Sequence, residues 1–147
     1  MHGEETATAV PKVLFVCVSN RGKSVMAEGL SRQHATVFEA SSAGTIAKVD
    51  DTVNAMSAEV LAEVGVDIYG HRPRQLTDDM MRAADLVVAI GTAARIDPPD
   101  GVRVEVWDTD EPSVCGIDGV ERMRLIRDDI AARISALAAC LGTDVSS

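Results

Sequence analysis

Aromatic residues are scarce, with one Trp, one Tyr and two Phe making up 3% of the 147-residue chain. Little is left for binding that stacks ligands on aromatic platforms. Cysteine is also sparse, at positions 17, 115 and 140. Three cysteines build no disulfide framework and point to a reducing, cytoplasmic setting. No apolar run approaches the ~20 residues of a membrane span, and the N-terminus MHGEETATAVPK is polar rather than signal-like. Cations are outnumbered, 14 Lys and Arg against 23 Asp and Glu, for a net charge of −9. That balance argues against nucleic acid and anionic membranes as partners. What the chain has is apolar substance, 46% hydrophobic residues, enough for one domain with a real core.

Residues 1–11 read as a flexible tail ahead of a single domain over 12–147. Val13–Val18 is wholly apolar and β-branched, the mark of a strand buried on both faces. It breaks at Ser19-Asn20-Arg21-Gly22, after which Met26, Ala27 and Leu30 share a helix face. Phe38–Ser42 reads as a weaker strand ending at Gly44. A helix is expected over 51–64, with Val53, Met56, Val60 and Val64 on its apolar face and Gly65 closing it. Thr77 is the expected N-cap of a short helix running to Ala84. Leu86–Ile90 and Val102–Trp107 read as further buried strands, with Trp107 in the core. Asp118-Gly-Val-Glu121 has capping-box spacing before a long helix whose apolar stripe includes Met123, Ile126, Ile130, Ile134, Leu137 and Leu141. Cys140 reads as a small buried hydrophobe of that helix. Buried strands alternating with amphipathic helices predict an α/β fold, an open parallel sheet with helices on both faces. Such sheets bind ligands beyond the carboxyl ends of their strands, where the first strand meets its helix.

That junction is Cys17-Val18-Ser19-Asn20-Arg21-Gly22-Lys23-Ser24. Backbone N–H groups in such a turn can curl round an oxyanion, and the helix dipole adds positive potential. A cysteine at its start faces the same field, which favours the thiolate. Lys23 adds a full charge, and Ser24 can donate a hydrogen bond to the sulfur. A nucleophile therefore stands beside a cradle for a tetrahedral anion. Gly22-Lys23-Ser24 is also the second half of a Walker A loop, but the first glycine of that motif falls on Cys17. Leu86–Ile90 also ends in Gly91 instead of the acidic Mg²⁺ ligand a nucleoside triphosphatase needs.

The run VLFVCVSNRGKSVMAEGL resembles the opening of the low-molecular-weight protein tyrosine phosphatase and arsenate reductase family, whose loop is C-x5-R-S after a buried strand. The likeness extends over nearly all of 12–141, through Ser42-Ala43-Gly44-Thr45 and the stretch from Gly65 to Leu76. Lys at position 23 and the terminal GVERMRLIRDDIAARISAL look most like the actinobacterial arsenate–mycothiol transferases. The resemblance implies a phosphatase-like fold with four parallel strands. It also implies Cys17 as nucleophile, the Val18–Ser24 backbone as oxyanion cradle, and Asn20 as stabiliser of the loop's turn. Lys23 takes the place of the anion-clamping Arg, and Ser24 that of the sulfur's partner. The family's general-acid loop corresponds to Asp110-Glu111-Pro112, with either Asp110 or Glu111 as the acid.

Two departures bear on substrate. Lys is a compact point charge where Arg offers a planar fork, so position 23 suits a transferring phosphoryl group poorly. The segment Thr45–Asp51 carries no aromatic residue and no Tyr follows Pro112, so the clamp for a phosphotyrosine ring is missing. A small inorganic oxyanion, arsenate, fits better. The resemblance implies attack by Cys17 on arsenate, then transfer to mycothiol as co-substrate, with a mycoredoxin-type redoxin completing reduction. No bound cofactor or metal is implied, and His2 and His34 lack the spacing of ligands. A phosphotyrosine phosphatase, a thioredoxin-linked reductase relaying a disulfide through further cysteines, and a non-catalytic oxyanion binder are the alternatives. The relay lacks its close cysteine pair, because Gly91–Gly101 contains none. Cys115 stays open to a redox role, and His71 and Arg74 are expected in a structural contact.

Overall fold

A computed structural model describes residues 10–109 and 119–146, with side chains through Gly142. Residues 1–9 of the tail expected over 1–11, and Asp110, Glu111, Cys115 and Asp118, lie outside the described residues.

The chain runs β1 (Lys12–Cys17), α1 (Lys23–Leu30), a 3₁₀ turn (Ser31–His34), β2 (Glu39–Gly44), α2 (Ala55–Ala62), α3 (Asp78–Ala83), β3 (Leu86–Ile90), β4 (Val104–Trp107) and α4 (Gly119–Ser146). The four strands form one parallel sheet in the order β2-β1-β3-β4. The two central strands, β1 and β3, are the two whose sequences are unbroken apolar runs, and all their residues but Lys12 are buried. Alternate residues face opposite layers. Val13 and Phe15 pack with α1, α2 and α4, while Leu14 and Val16 meet Met81 of α3 and its neighbours. Helices cover both faces, as the alternating pattern predicts.

Several expectations need correction. β4 starts at Val104 and is an edge strand, so Val106 is 62% exposed, not buried. The second helix starts at Ala55, because the Asn54 side chain caps it by accepting the Ser57 N–H at 2.9 Å. Its buried face is Ser57, Ala58, Val60 and Leu61, and Val64 is exposed. Gly65 does end that region, at φ +81°, with Gly65 N–H bonded to Ala62 O and Val66 N–H to Leu61 O. This is the Schellman pairing. Thr77 caps α3 as expected, accepting the Met80 N–H.

On α4, Ile126, Ile130 and Ile134 are at most 1% exposed and Ala138 continues their row. Burial of each isoleucine is worth about 1.5–3 kcal/mol. Cys140 is exposed, not buried, because two residues beyond Ala138 put it about 200° round the helix. Arg124 and Arg127 of α4 both pair with Glu63. The Arg124 guanidinium above all holds the Glu63 carboxyl at about 2. So exposed a pair ties the α2 end to α4 with little net stabilisation. No described helix is long and apolar enough to cross a membrane.

Candidate active site

β1 delivers Cys17 to the carboxyl edge of the sheet, where it is 8% exposed, and α1 begins six residues later at Lys23. Between them the chain must turn in a small space, and its carbonyls show how. The oxygens of Cys17, Val18 and Ser19 accept N–H bonds from Thr45, Ile46 and Lys48, those of Arg21 and Gly22 from Asn54 and Met26. In a trans planar peptide the N–H opposes the C=O. The N–H groups of Val18, Ser19, Asn20, Gly22 and Lys23 therefore turn to the concave side of the loop. With the positive end of the α1 dipole, such an arrangement can seat an oxyanion.

Asn20 is the keystone of this turn. It is fully buried and has φ +58°, the only non-glycine residue of positive φ among those described. Its Oδ1 accepts the Arg74 backbone N–H at 2.8 Å and lies 3.0 Å from His71 Nε2. The backbone donor fixes the amide's orientation. An amide oxygen only accepts, so Nε2 carries the proton. Burial pushes the His71 imidazole below its usual range, although the Glu28 carboxylate pulls the other way, and that favours this neutral donor. The Asn20 Nδ2 donates to Ser24 Oγ at 2.8 Å and to Ser42 Oγ at 3.0 Å, and Ser42 in turn donates to Glu28. Ser24 Oγ thus accepts from Asn20 and lies 2.9 Å from Cys17 Sγ, where its own proton can be directed at the sulfur. The Asn20–Ser24 arm of the network thereby holds a hydroxyl against the sulfur.

Cys17, Val18, Ser19, Gly22 and Lys23 line a cleft of about 280 Å³ whose other wall is Ile90, Gly91 and Ala93. Of the residues expected at the site, those five surround the cleft, and Ser24 and Asn20 support it from behind. Arg21 is not among the residues lining the cleft, and its Nε donates to Thr52 O at 2.6 Å. His71 and Arg74 make the expected structural contact, with the Arg74 guanidinium also on Ser42 O. Among the described residues, no group of three His, Cys, Asp or Glu is placed to hold a metal ion.

Ser42, Glu28 and Gly44 were not anticipated individually. A Cβ on Gly44 would lie 2.6 Å from Val18 O and 2.9 Å from Asn20 N, inside contact distance of the loop backbone. Gly44 cannot retreat, because its N–H bonds Arg74 O and its O accepts Leu76 N–H, both at 2.8 Å. Gly44→Ala is therefore expected to displace the loop and lower turnover by about 10²-fold, the scale of an ångström's misplacement. Steady-state kinetics alongside a thermal melt checks this. Wild-type kcat/KM in a folded variant would show that the loop gives way freely.

Residues 12–147 match the family model described as low molecular weight phosphotyrosine protein phosphatase. A putative arsenate reductase of Halobacterium salinarum is 31% identical over 137 residues, 88% of this chain and 92% of that protein. A probable low-molecular-weight protein-tyrosine-phosphatase of Ralstonia solanacearum is 35% identical over 86 residues, 58% of this chain and 59% of that protein. Among solved structures, a thioredoxin-dependent arsenate reductase of Corynebacterium glutamicum superposes with a TM-score of 0.75 at 30% identity. It covers 95% of this chain, which spans 66% of that longer one.

Proposed function

Since the chain belongs to the low molecular weight phosphotyrosine protein phosphatase family, we propose that it is an arsenate reductase of the thiol-transferase type, with mycothiol as co-substrate. The observation that carries this reading is Lys23, not Arg, on the wall of a cleft built on Cys17 and backbone amides. That seat suits a small oxyanion and lacks the fork a phosphoryl group asks for. Relatives named as arsenate reductases across most of their length support it.

The Cys17 thiolate attacks arsenic, forming an S–As bond as hydroxide or water leaves. The amide seat and Lys23 hold the oxygens, while Asp110 or Glu111 supplies the proton to the leaving oxygen. A mycothiol thiolate then attacks arsenic, and the Cys17–As bond breaks with its electron pair returning to sulfur. The net change is arsenate plus thiol giving thiol–arsenate adduct plus water, with arsenic still at +5. A separate mycoredoxin-type partner reduces the adduct to arsenite. Arsenate consumption with and without mycothiol, and with an aryl phosphate in parallel, tests the whole scheme. Consumption independent of any small thiol would sink it.

Position 23 itself is testable. Lys23→Arg adds one charge-assisted hydrogen bond to a bound phosphoryl group, and aryl phosphatase activity is expected to rise about tenfold. If the Lys enzyme already hydrolyses aryl phosphates as fast, substrate choice is not set there.

A disulfide relay to thioredoxin is the second reading, favoured by the thioredoxin dependence named for the C. glutamicum neighbour. Geometry weighs against Cys140 as its resolving thiol. Cys140 lines a cavity with Val13 and Leu86, at the amino ends of β1 and β3. From Val13 to Cys17 is four strand residues, about 13 Å, beyond the ~7 Å that a disulfide spans. Cys115→Ser/Cys140→Ser is accordingly expected to keep most mycothiol-dependent activity. Loss of activity in Cys115→Ser, with a Cys17–Cys115 disulfide found by mass mapping after arsenate treatment, would make the relay the better account.

A further inference from the structure

The two walls of the cleft differ in chemistry. The first, from Cys17 to Lys23, is polar and positive and takes the oxyanion. The second is Ile90, Gly91 and Ala93, which offers no charge and no side-chain hydrogen bond. It does nothing for an anion. Its position is fixed, because β1 and β3 are paired in register up to Val16 and Ala89, so Ile90 stands beside Cys17 at the ~4.8 Å spacing of adjacent strands. Gly91 then turns at φ +85° with its N–H on Trp107 O, which carries Ala93 back to the cleft. Ile90 and Gly91 are buried and Ala93 is exposed, so the wall opens to solvent at Ala93.

We infer that this small apolar wall is the docking surface for the attacking thiol, and that Ala93 sets how large a thiol reaches the arsenic. The inference rests on the thiol-transfer reading above and names the side from which the second nucleophile comes. With the amide seat enclosing the arsenate oxygens and Cys17 bonded from below, the face toward Ile90–Ala93 is the approach that the described residues leave to a second sulfur. A –CH2–SH group is soft and weakly hydrated, and it sits better against Ala and Gly than against a cationic rim. In the transfer step the incoming thiolate forms the S–As bond, Cys17 leaves as thiolate, and the thiol proton passes to solvent.

Two variants of the full chain test it. Ala93→Leu narrows this approach. The KM for mycothiol is expected to rise about tenfold, as steric misplacement of one reactant does, and by clearly more than the inhibition constant of inorganic phosphate. Ala93→Cys places a thiol on the wall itself. With arsenate and no added thiol, it is expected to give one turnover. The introduced thiolate attacks arsenic and Cys17 leaves as thiolate. Cys17 then attacks the sulfur now bonded to arsenic, forming a disulfide between Cys17 and position 93 as arsenic accepts two electrons and leaves as arsenite. Mass mapping and arsenite release, one per chain, read this out, with wild type and Cys17→Ser/Ala93→Cys as blanks. Failure of wild type to use arsenate with any thiol overturns the functional reading. Normal mycothiol KM in Ala93→Leu, with no disulfide in Ala93→Cys, overturns the docking wall while leaving that reading intact.

Discussion

Cys17→Ser is expected to lower arsenate turnover by at least about 10³-fold, the scale on which loss of a nucleophile falls, while the chain stays folded and still binds the anion. The hydroxyl is not ionised near neutral pH, and so has none of the nucleophilicity of a thiolate. The seat is expected to survive, because the amides of Val18, Ser19, Asn20, Gly22 and Lys23 are held by carbonyl bonds to Thr45, Ile46, Lys48, Asn54 and Met26. A neutral hydroxyl beside a negative ligand adds no repulsion. Phosphate or arsenate is therefore expected to bind Cys17→Ser as tightly as wild type, or more tightly. Isothermal titration with either anion and a thermal melt separate binding from chemistry. Undiminished arsenate-dependent turnover would remove Cys17 from the nucleophile's role and leave an oxyanion-binding module. Lost anion binding in a folded variant would show that the sulfur, not the backbone, shapes the seat.

The loop from Cys17 to Ser24 was legible in the sequence because its chemistry is contiguous. A cysteine, a turn, a cation and the hydroxyl that contacts the sulfur fall within eight residues between a wholly apolar strand and a helix. The central strands were legible for a related reason, since burial on both faces leaves β1 and β3 no room for a polar residue. The edges were harder. β4 has one neighbour only, so Val106 faces solvent and a fully apolar reading of that segment overstates its burial. The second helix was misregistered because Asn54 looks like any polar residue until its side chain is seen on the Ser57 N–H. Cys140 was misplaced because the i, i+3, i+4 pattern accepts Leu137 and Leu141 as a stripe, whereas the buried row steps by four from Ile126 to Ala138. The support behind the loop was the least legible part. Ser42, His71 and Arg74 lie 22, 51 and 54 residues from Asn20. The β2-β1 pairing and the bridge from Gly44 to Gln75 bring them together.

Asn20 offers the sharpest test of that support. Asn20→Ala places a Cβ-bearing residue at φ +58° without the local hydrogen bonds that make the conformation tolerable for Asn. It also strands the Arg74 N–H and the His71 Nε2–H, and releases the hydroxyls of Ser24 and Ser42 from their common donor. Unmet buried donors cost about 1–3 kcal/mol each and the left-handed backbone about 1–2 kcal/mol, so a stability loss of about 2–4 kcal/mol is expected after partial relaxation. Turnover is expected to fall about 10²-fold, because the Ser24 proton loses its fixed direction toward Cys17 and the amides lose their common geometry. Asn20→Gly separates the two causes. Glycine adopts φ +58° without strain, so it recovers the backbone share of the stability and none of the network. Chemical denaturation is expected to rank wild type above the Gly variant and the Gly variant above the Ala variant, with the two variants about equally slow. If Asn20→Gly turns over arsenate like wild type, the side-chain network plays no part in aligning Ser24 and Cys17, and the backbone of the loop alone makes the site.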